Sequence, residues 1–269
     1  VLQFASPSFD ASISEIAMAL GAGAQLCLGN RFDLLPGDAL ACLCEKHAIT
    51  HITLPPSALS LMPENSLGHC QTLIVAGESC PQSVVQKWSK SRRFINAYGP
   101  TEASVCASVS DPLDVFDKVT IGRAIDNVQL YVLDGSMQVS PIGVIGELFI
   151  GGMGLARGYL NQPELTAERF VENVFSDDDS RRLYKTGDCC RWLADGSLEY
   201  LGRVDHQVKV RGFRIELGEI EAVLDQYPLV SESVVIAYCD DSSNQNLNDK
   251  GRNRLVAYVV GDNDKLKID

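Results

Sequence analysis

The chain has 269 residues, enough to bury a sizeable core in one or two domains. Hydrophobic residues at 45% and charged residues at 22% are ordinary for a globular protein, and no run approaches the roughly 18 apolar residues that span a bilayer, so a membrane is not an expected partner. A net charge of −12 disfavours nucleic acid as well, because counterion release needs a basic face and only the short alternation Lys209, Arg211, Arg214 offers one.

In chain order, the first hundred residues alternate between helical and extended patterns. A helix is predicted from Ser12 to Leu20, a strand from Ala24 to Leu28 and a helix from Pro36 to Lys46; strands from His51 to Leu54 and from Thr72 to Val75 follow. Such alternation predicts an α/β unit with a largely parallel sheet. After Ala103 the pattern changes to short strands set apart by Gly, Pro and Asp, including Gln129 to Leu133, Gly146 to Ile150 and Ser197 to Tyr200, which predicts a β-rich part. From Gln207 the strand-like QVKVRG and FRI lead into Leu217 to Asp225, where Leu217, Ile220 and Leu224 recur at helical spacing. Strands near Ser233 to Tyr238 and Leu255 to Val260 complete a small α+β unit, and the polar CDDSSNQNLNDKGRNR between them reads as a flexible loop.

Nine cysteines form no paired C-x-x-C framework: Cys42 and Cys44 are two apart and Cys189 and Cys190 adjacent. Reduced, mostly buried thiols in a cytoplasmic protein are expected. The chain opens on VLQFASPSFD, without a charged leader, and stops at DNDKLKID without a recognisable cap, so both ends read as cuts inside a domain.

The segment NAYGPTEASV, Asn96 to Val105, gathers the chemistry of a nucleotide loop. Tyr98 offers a stacking face for a purine, Gly99 permits close backbone approach, Thr101 can bond a phosphate oxygen and Glu102 can give magnesium a hard oxygen ligand. Read alone, a tight turn with a solvated Glu explains the same residues. The segment also resembles the signature loop of the adenylate-forming superfamily. It is followed in order by GELFIGGMGLARGYLNQPELTAERF, YKTGD and GRVDHQVKVRGFRIELGEIE, which resemble that family's later motifs. Over essentially the whole chain the versions are most similar to adenylation domains of nonribosomal peptide synthetases.

The resemblance implies a fold: the end of a large adenylate-forming domain, 1–204, with an α/β part over 1–106 and a β-rich part over 107–204, then an incomplete α+β subdomain over 205–269. It also implies roles. Thr101 and Glu102 would serve catalysis, and Ala97, Tyr98, Gly99, Asp188, Tyr200 and Arg203 would contact ATP or AMP, with Asp188 on the ribose hydroxyls and Arg203 near ribose and phosphate. Outside the family, Asp188 reads as a turn residue before a strand, and Tyr200 as simple packing. Asp205 matches the family's hinge. Lys209 and Arg211 share one strand face, which is either solvated or a docking face for a carrier domain.

The segment FDASISE resembles the family's specificity motif, in which Asp10 would bind the substrate's α-ammonium. An N-cap role for Asp10 is the structural alternative. Matching motifs adds Ala11, Ser14, Thr53, Ile74, Ala76, Ala97, Val105 and Cys106 to the pocket lining. These side chains are mostly small and apolar, which leaves room for a large substrate side chain; Ser14 could deepen the floor and bond a phenol, so tyrosine ranks first and phenylalanine second, with a long basic side chain such as arginine still open. The full activity implied joins an amino acid to the α-phosphorus of Mg-ATP and passes the aminoacyl group to a carrier protein's phosphopantetheine thiol, beside a condensation domain. Neither a Gly/Ser/Thr-rich phosphate loop nor an Asn-Gly-Lys motif occurs in the sequence, and Lys265 and Lys267 lie in the wrong context to replace the latter, so the chain by itself is expected to be inactive. An acyl- or aryl-CoA ligase and a non-catalytic nucleotide-binding module are the competing readings.

Overall fold

The computed structural model describes residues 1–176, 182–205, 207–210, 212–239 and 253–261. Contacts divide the chain into two compact units, Val1–Val204 and Asp205–Asp269.

The first unit begins with β1 (Leu2–Gln3), α1 (Ala11–Gly21) and β2 (Cys27–Leu28), the two strands pairing in parallel. The strand expected from Ala24 shortens because the Ala24 amide closes helix α1 on Ala19 O at 2.8 Å. Next come α2 (Asp38–Lys46), β3 (His51–Leu54), α3 (Pro56–Ser60), β4 (Thr72–Val75), α4 (Gln82–Trp88) and β5 (Arg93–Tyr98). Helix α2 starts two residues later than expected because Gly37, at φ 121°, holds a backbone that no helix accepts.

Strands β3, β4 and β5 are parallel and in register, from His51–Thr72–Arg93 at one end to Leu54–Val75 and Val75–Asn96 at the other. Period-two alternation sorts their side chains. Ile52, Leu54, Leu73, Val75 and Phe94 are buried and share one core with Leu40, Leu59, Val85 and Trp88 from α2, α3 and α4. Thr53, Ile74, Ile95 and Ala97 occupy the alternate positions and stay half-buried. The sheet continues beyond Cys106 through the antiparallel β6 (Ser108–Val109) and β7 (Arg123–Ala124).

A second five-stranded sheet comprises β8 (Val128–Leu133), β9 (Gly146–Gly152), β10 (Phe170–Glu172), β11 (Arg182–Trp192) and β12 (Leu198–Arg203), with helix α5 (Pro163–Arg169) leading into β10. Its order is β10-β11-β9-β8, with β12 on β11, and its pairings are antiparallel. Strand β11 loses register between Lys185 and Cys189 against β9, and again between Cys189 and Cys190 against β12. Thr186 and Asp188, two apart and so on one face of the strand, are both buried. Tyr98, Ala103 and Ala107 from the first sheet's connection pack with Val132, Leu148, Ile150, Cys190 and Leu198 in one core, which joins the two sheets.

In the second unit β13 (Val208–Val210) and β14 (Phe213–Ile215) pair antiparallel, helix α6 (Leu217–Leu224) follows, and it packs on β15 (Val230–Cys239), itself antiparallel to β16 (Asn253–Gly261). Arg211, Lys265, Lys267 and residues 240–252 of the expected loop lie outside the described residues. Every described cysteine side chain is a free thiol, and among the described residues no helix is long and apolar enough to cross a membrane.

Candidate functional site

Strand β5 ends at Tyr98, and Gly99 and Pro100 carry the chain into a single 3-10 turn, Thr101–Ala103. Gly99 is required there for a packing reason. A Cβ on it would lie 2.4 Å from Val105 O and 2.6 Å from Cys106 Cα, so the return of the chain over the turn leaves no room for a side chain. Ser104 and Val105 make that return in left-handed backbone, at φ 58° and 73°, and the Ala107 amide then bonds Tyr98 O at 2.8 Å. Two non-glycine residues in this region mark a strained turn of the kind that collects at functional sites.

The strain is braced from the segment after β9. Ser104 Oγ donates to Gly154 O at 2.6 Å, the Ala156 amide donates to Glu102 O at 2.8 Å, and the Tyr159 hydroxyl donates to Glu102 Oε1 at 2.7 Å. Burial, and then the Glu102 carboxylate, push the Tyr159 hydroxyl far above the ordinary phenol range, so it remains a donor. Tyr159 is the functional partner that sequence reasoning missed. Its position in the GLARGYL motif is the available signal, but its target lies 57 residues away.

Asp188 forms the other half of the site. Its backbone pairs with Arg203 across β11 and β12, and Arg203 Nη1 donates to Asp188 Oδ1 at 2.8 Å while Nη2 donates to Thr186 O at 3.0 Å. The two side chains are 8% and 3% exposed, an ion pair withdrawn from water. The Tyr98 hydroxyl donates to the other carboxylate oxygen, Oδ2. Burial and the neighbouring carboxylate raise the Tyr98 hydroxyl well above its usual range and keep it protonated. Tyr98 is buried, and it packs in the core that joins the sheets. Tyr200, half-buried, brings its ring to 6.3 Å from that of Tyr98, and burial again raises its hydroxyl. Asp188 itself stands within a strand, not in a turn before one.

Asp10 precedes α1 with helical backbone, φ −61° and ψ −27°, and its side chain makes no capping bond. Its Oδ2 is buried without a hydrogen-bond partner among the described residues. The tie between α1 and the preceding chain comes instead from Glu15, which accepts the Phe4 and Ala5 amides at 3.1 Å each. Ser14 lies one turn after Asp10, its amide on Asp10 O, and Ala11 and Ser14 are three apart on the same side of the helix. Thr53, Ile74 and Ala97 share the half-buried face of β3 to β5, half-buried Ala76 follows β4, and Val105 and Cys106 lie on the return over Gly99. Thr101 is exposed at the turn. Asp205, in the second unit, accepts the Gln207 amide at 3.2 Å.

Comparison with known proteins gives this arrangement a family. The family described as "AMP-binding enzyme" matches residues 1–160. Chondramide synthase cmdD of Chondromyces crocatus is 49% identical over 263 residues, 96% of this chain, and the chain spans only 6% of that synthase. An artificially fused adenylation-PCP di-domain, NpsA-ThdA of Klebsiella oxytoca, superposes with a TM-score of 0.84 at 28% identity over 99% of this chain and 49% of that one. The adenylation domain AlmE of Vibrio cholerae, solved in complex with glycyl-adenosine-5'-phosphate, gives 0.83 at 27% over 96% of this chain and 49% of its own. The chain belongs to the family of AMP-binding enzymes, as part of an adenylation domain of the nonribosomal peptide synthetase kind.

Proposed function

We propose that the chain selects an amino acid for condensation with ATP to an aminoacyl adenylate. The observation that carries this reading is Asp10 Oδ2, buried and without a partner. A carboxylate oxygen withdrawn from water without a donor is costly, and a substrate ammonium is a donor of the right charge. An acyl- or aryl-acid substrate has no such group to offer, which is why this oxygen argues against the CoA-ligase alternative.

The side chain favoured is aromatic, tyrosine before phenylalanine. Thr53, Ile74, Ala76, Ala97, Val105 and Cys106 are small or medium side chains that leave space for a ring, and the Ser14 hydroxyl is available to a phenol. For the nucleotide, Asp188 keeps acceptor capacity: each oxygen carries one internal donor and has a second acceptor site for a ribose hydroxyl. Ala97, Tyr98, Gly99 and Tyr200 border the adenine in this reading, with Thr101 and Arg203 toward the phosphate. Glu102 is the residue that would hold magnesium. A lone carboxylate suits that ion, which binds one or two carboxylates together with substrate phosphates and water, and which supplies charge neutralisation to the phosphates.

The partners proposed are a carrier protein, whose phosphopantetheine thiol takes the aminoacyl group, and a condensation domain of the same assembly, in the cytoplasm. The AlmE complex and the fused adenylation-PCP protein support this by likeness. Asp205, first residue of the second unit, is the proposed hinge.

The test is ATP–pyrophosphate exchange screened over all common amino acids, on an adenylation domain in which this chain is joined to a phosphate loop and an Asn-Gly-Lys segment. Exchange with tyrosine is expected first; exchange with no amino acid refutes the reading. The 269-residue chain alone is expected to give negligible exchange.

A further inference from the structure

At the opposite edge of the parallel sheet lies a second polar cavity. The first residues of three strands, His51, Thr72 and Arg93, stand side by side in register there. With His69, Cys70 and Arg92 they border an open cavity of about 670 Å³. Ala97 to Glu102, by contrast, lie at and just beyond the carboxyl end of β5, so this cavity is separate from the candidate site.

Its chemistry is cationic. Arg92 and Arg93 carry fixed charge, and His51 and His69 add two imidazoles. One carboxylate offsets them: Glu45 Oε1 lies 3.2 Å from His69 Nε2, and both side chains are more than half exposed. Arg92 is the anomaly. Its guanidinium lies over the Trp88 ring at 5.6 Å, and its Nε and Nη1 are buried with no hydrogen-bond acceptor among the described residues. The adjoining Cys70 sulfur bonds the guanidinium but does not neutralise it: burial pushes that thiol up to about 11, against the lowering pull of Arg92, and it gives its own hydrogen to Thr72 O. Two buried guanidinium donors without an acceptor are expensive, and an oxyanion is an acceptor of the complementary charge.

We infer that Arg92, with Arg93, His51 and His69 around it, forms a binding site for a phosphate group at the amino ends of β3 to β5. Free phosphate and a phosphate monoester share this chemistry.

Calorimetric titration of the chain with inorganic phosphate and with glycerol 3-phosphate, at constant ionic strength held by sodium chloride, tests the site. Saturable binding is expected. Arg92→Gln should weaken it about tenfold or more, the loss of a charge-assisted pair. Tighter binding of one ligand identifies free anion or ester as the source, and either upholds the site. Should Arg92→Gln fail to fold, Arg93→Ala at the rim must still weaken binding severalfold. No saturable binding, or an affinity unchanged in the arginine variants, overturns the inference.

Discussion

Arg203 Nη1 meets Asp188 Oδ1 at 2.8 Å, and the paired side chains are almost wholly withdrawn from water. The pair locks β12 to β11 at the point where β11 departs from regular register. Removing the guanidinium leaves a buried carboxylate with the Tyr98 hydroxyl as its remaining side-chain donor among the described residues. Arg203→Ala should therefore destabilise the first unit by about 3 kcal/mol, read by urea denaturation. A loss below about 1 kcal/mol would mean the pair behaves like an exposed ion pair.

Tyr159 and Glu102 allow a finer cut. Tyr159→Phe deletes one hydroxyl and should cost about 1 kcal/mol of stability. If Glu102 acts at the phosphates, the same change should lower kcat for exchange in the completed domain more than it raises KM for the amino acid. An unchanged kcat would leave the hydroxyl a purely structural brace.

Gly99→Ala places a Cβ 2.4 Å from Val105 O, against backbone that cannot rotate away. The turn must open, at about 2 kcal/mol, and Thr101 and Glu102 move with it. Unfolding midpoint and exchange rate should fall together; a variant as stable as the parent contradicts the crowding described.

Glu15 gives a pH prediction. Burial raises its pKa to about 7 from 4.5, only partly opposed by the Ala5 and Phe4 amides. Below 4.5 the carboxyl is protonated whether folded or unfolded and adds no pH dependence. Between 4.5 and about 7 the unfolded chain releases the proton while the folded chain holds it, so stability falls as pH rises; above about 7 the penalty is constant. Denaturation midpoints across this window should slope downward, and Glu15→Gln should flatten the slope. An unaltered slope would assign the effect to other groups.

Strands β3 and β4 were legible because they read as short apolar runs bounded by turn residues, HITL and TLIV, whereas β5, whose end Asn96 to Tyr98 read as part of a loop, was not. Strand β11 was not legible as a strand. Its middle, Lys185 to Asp188, is polar, and the face it shares with Tyr184 and Cys190 by simple alternation is nevertheless buried, which a polar run does not announce. The motifs identified Asp188, Arg203 and Glu102 as residues of interest, but their partners lie 15 to 90 residues away, and no local pattern encodes those pairings. For Asp10 the sequence left a cap and a ligand role open. The missing capping bond, visible only in three dimensions, speaks against the cap, and the unpartnered oxygen is what the proposed ligand role rests on.

Asp10 also supplies the most direct test of the account. In the completed adenylation domain, kcat/KM for tyrosine-dependent ATP–pyrophosphate exchange should fall about 100-fold or more in Asp10→Ala, the cost of leaving a buried ammonium unpaired. Exchange at the parent's efficiency in that variant, or exchange driven equally by the deaminated acid in the parent, would contradict an amino-acid-selecting role for this chain.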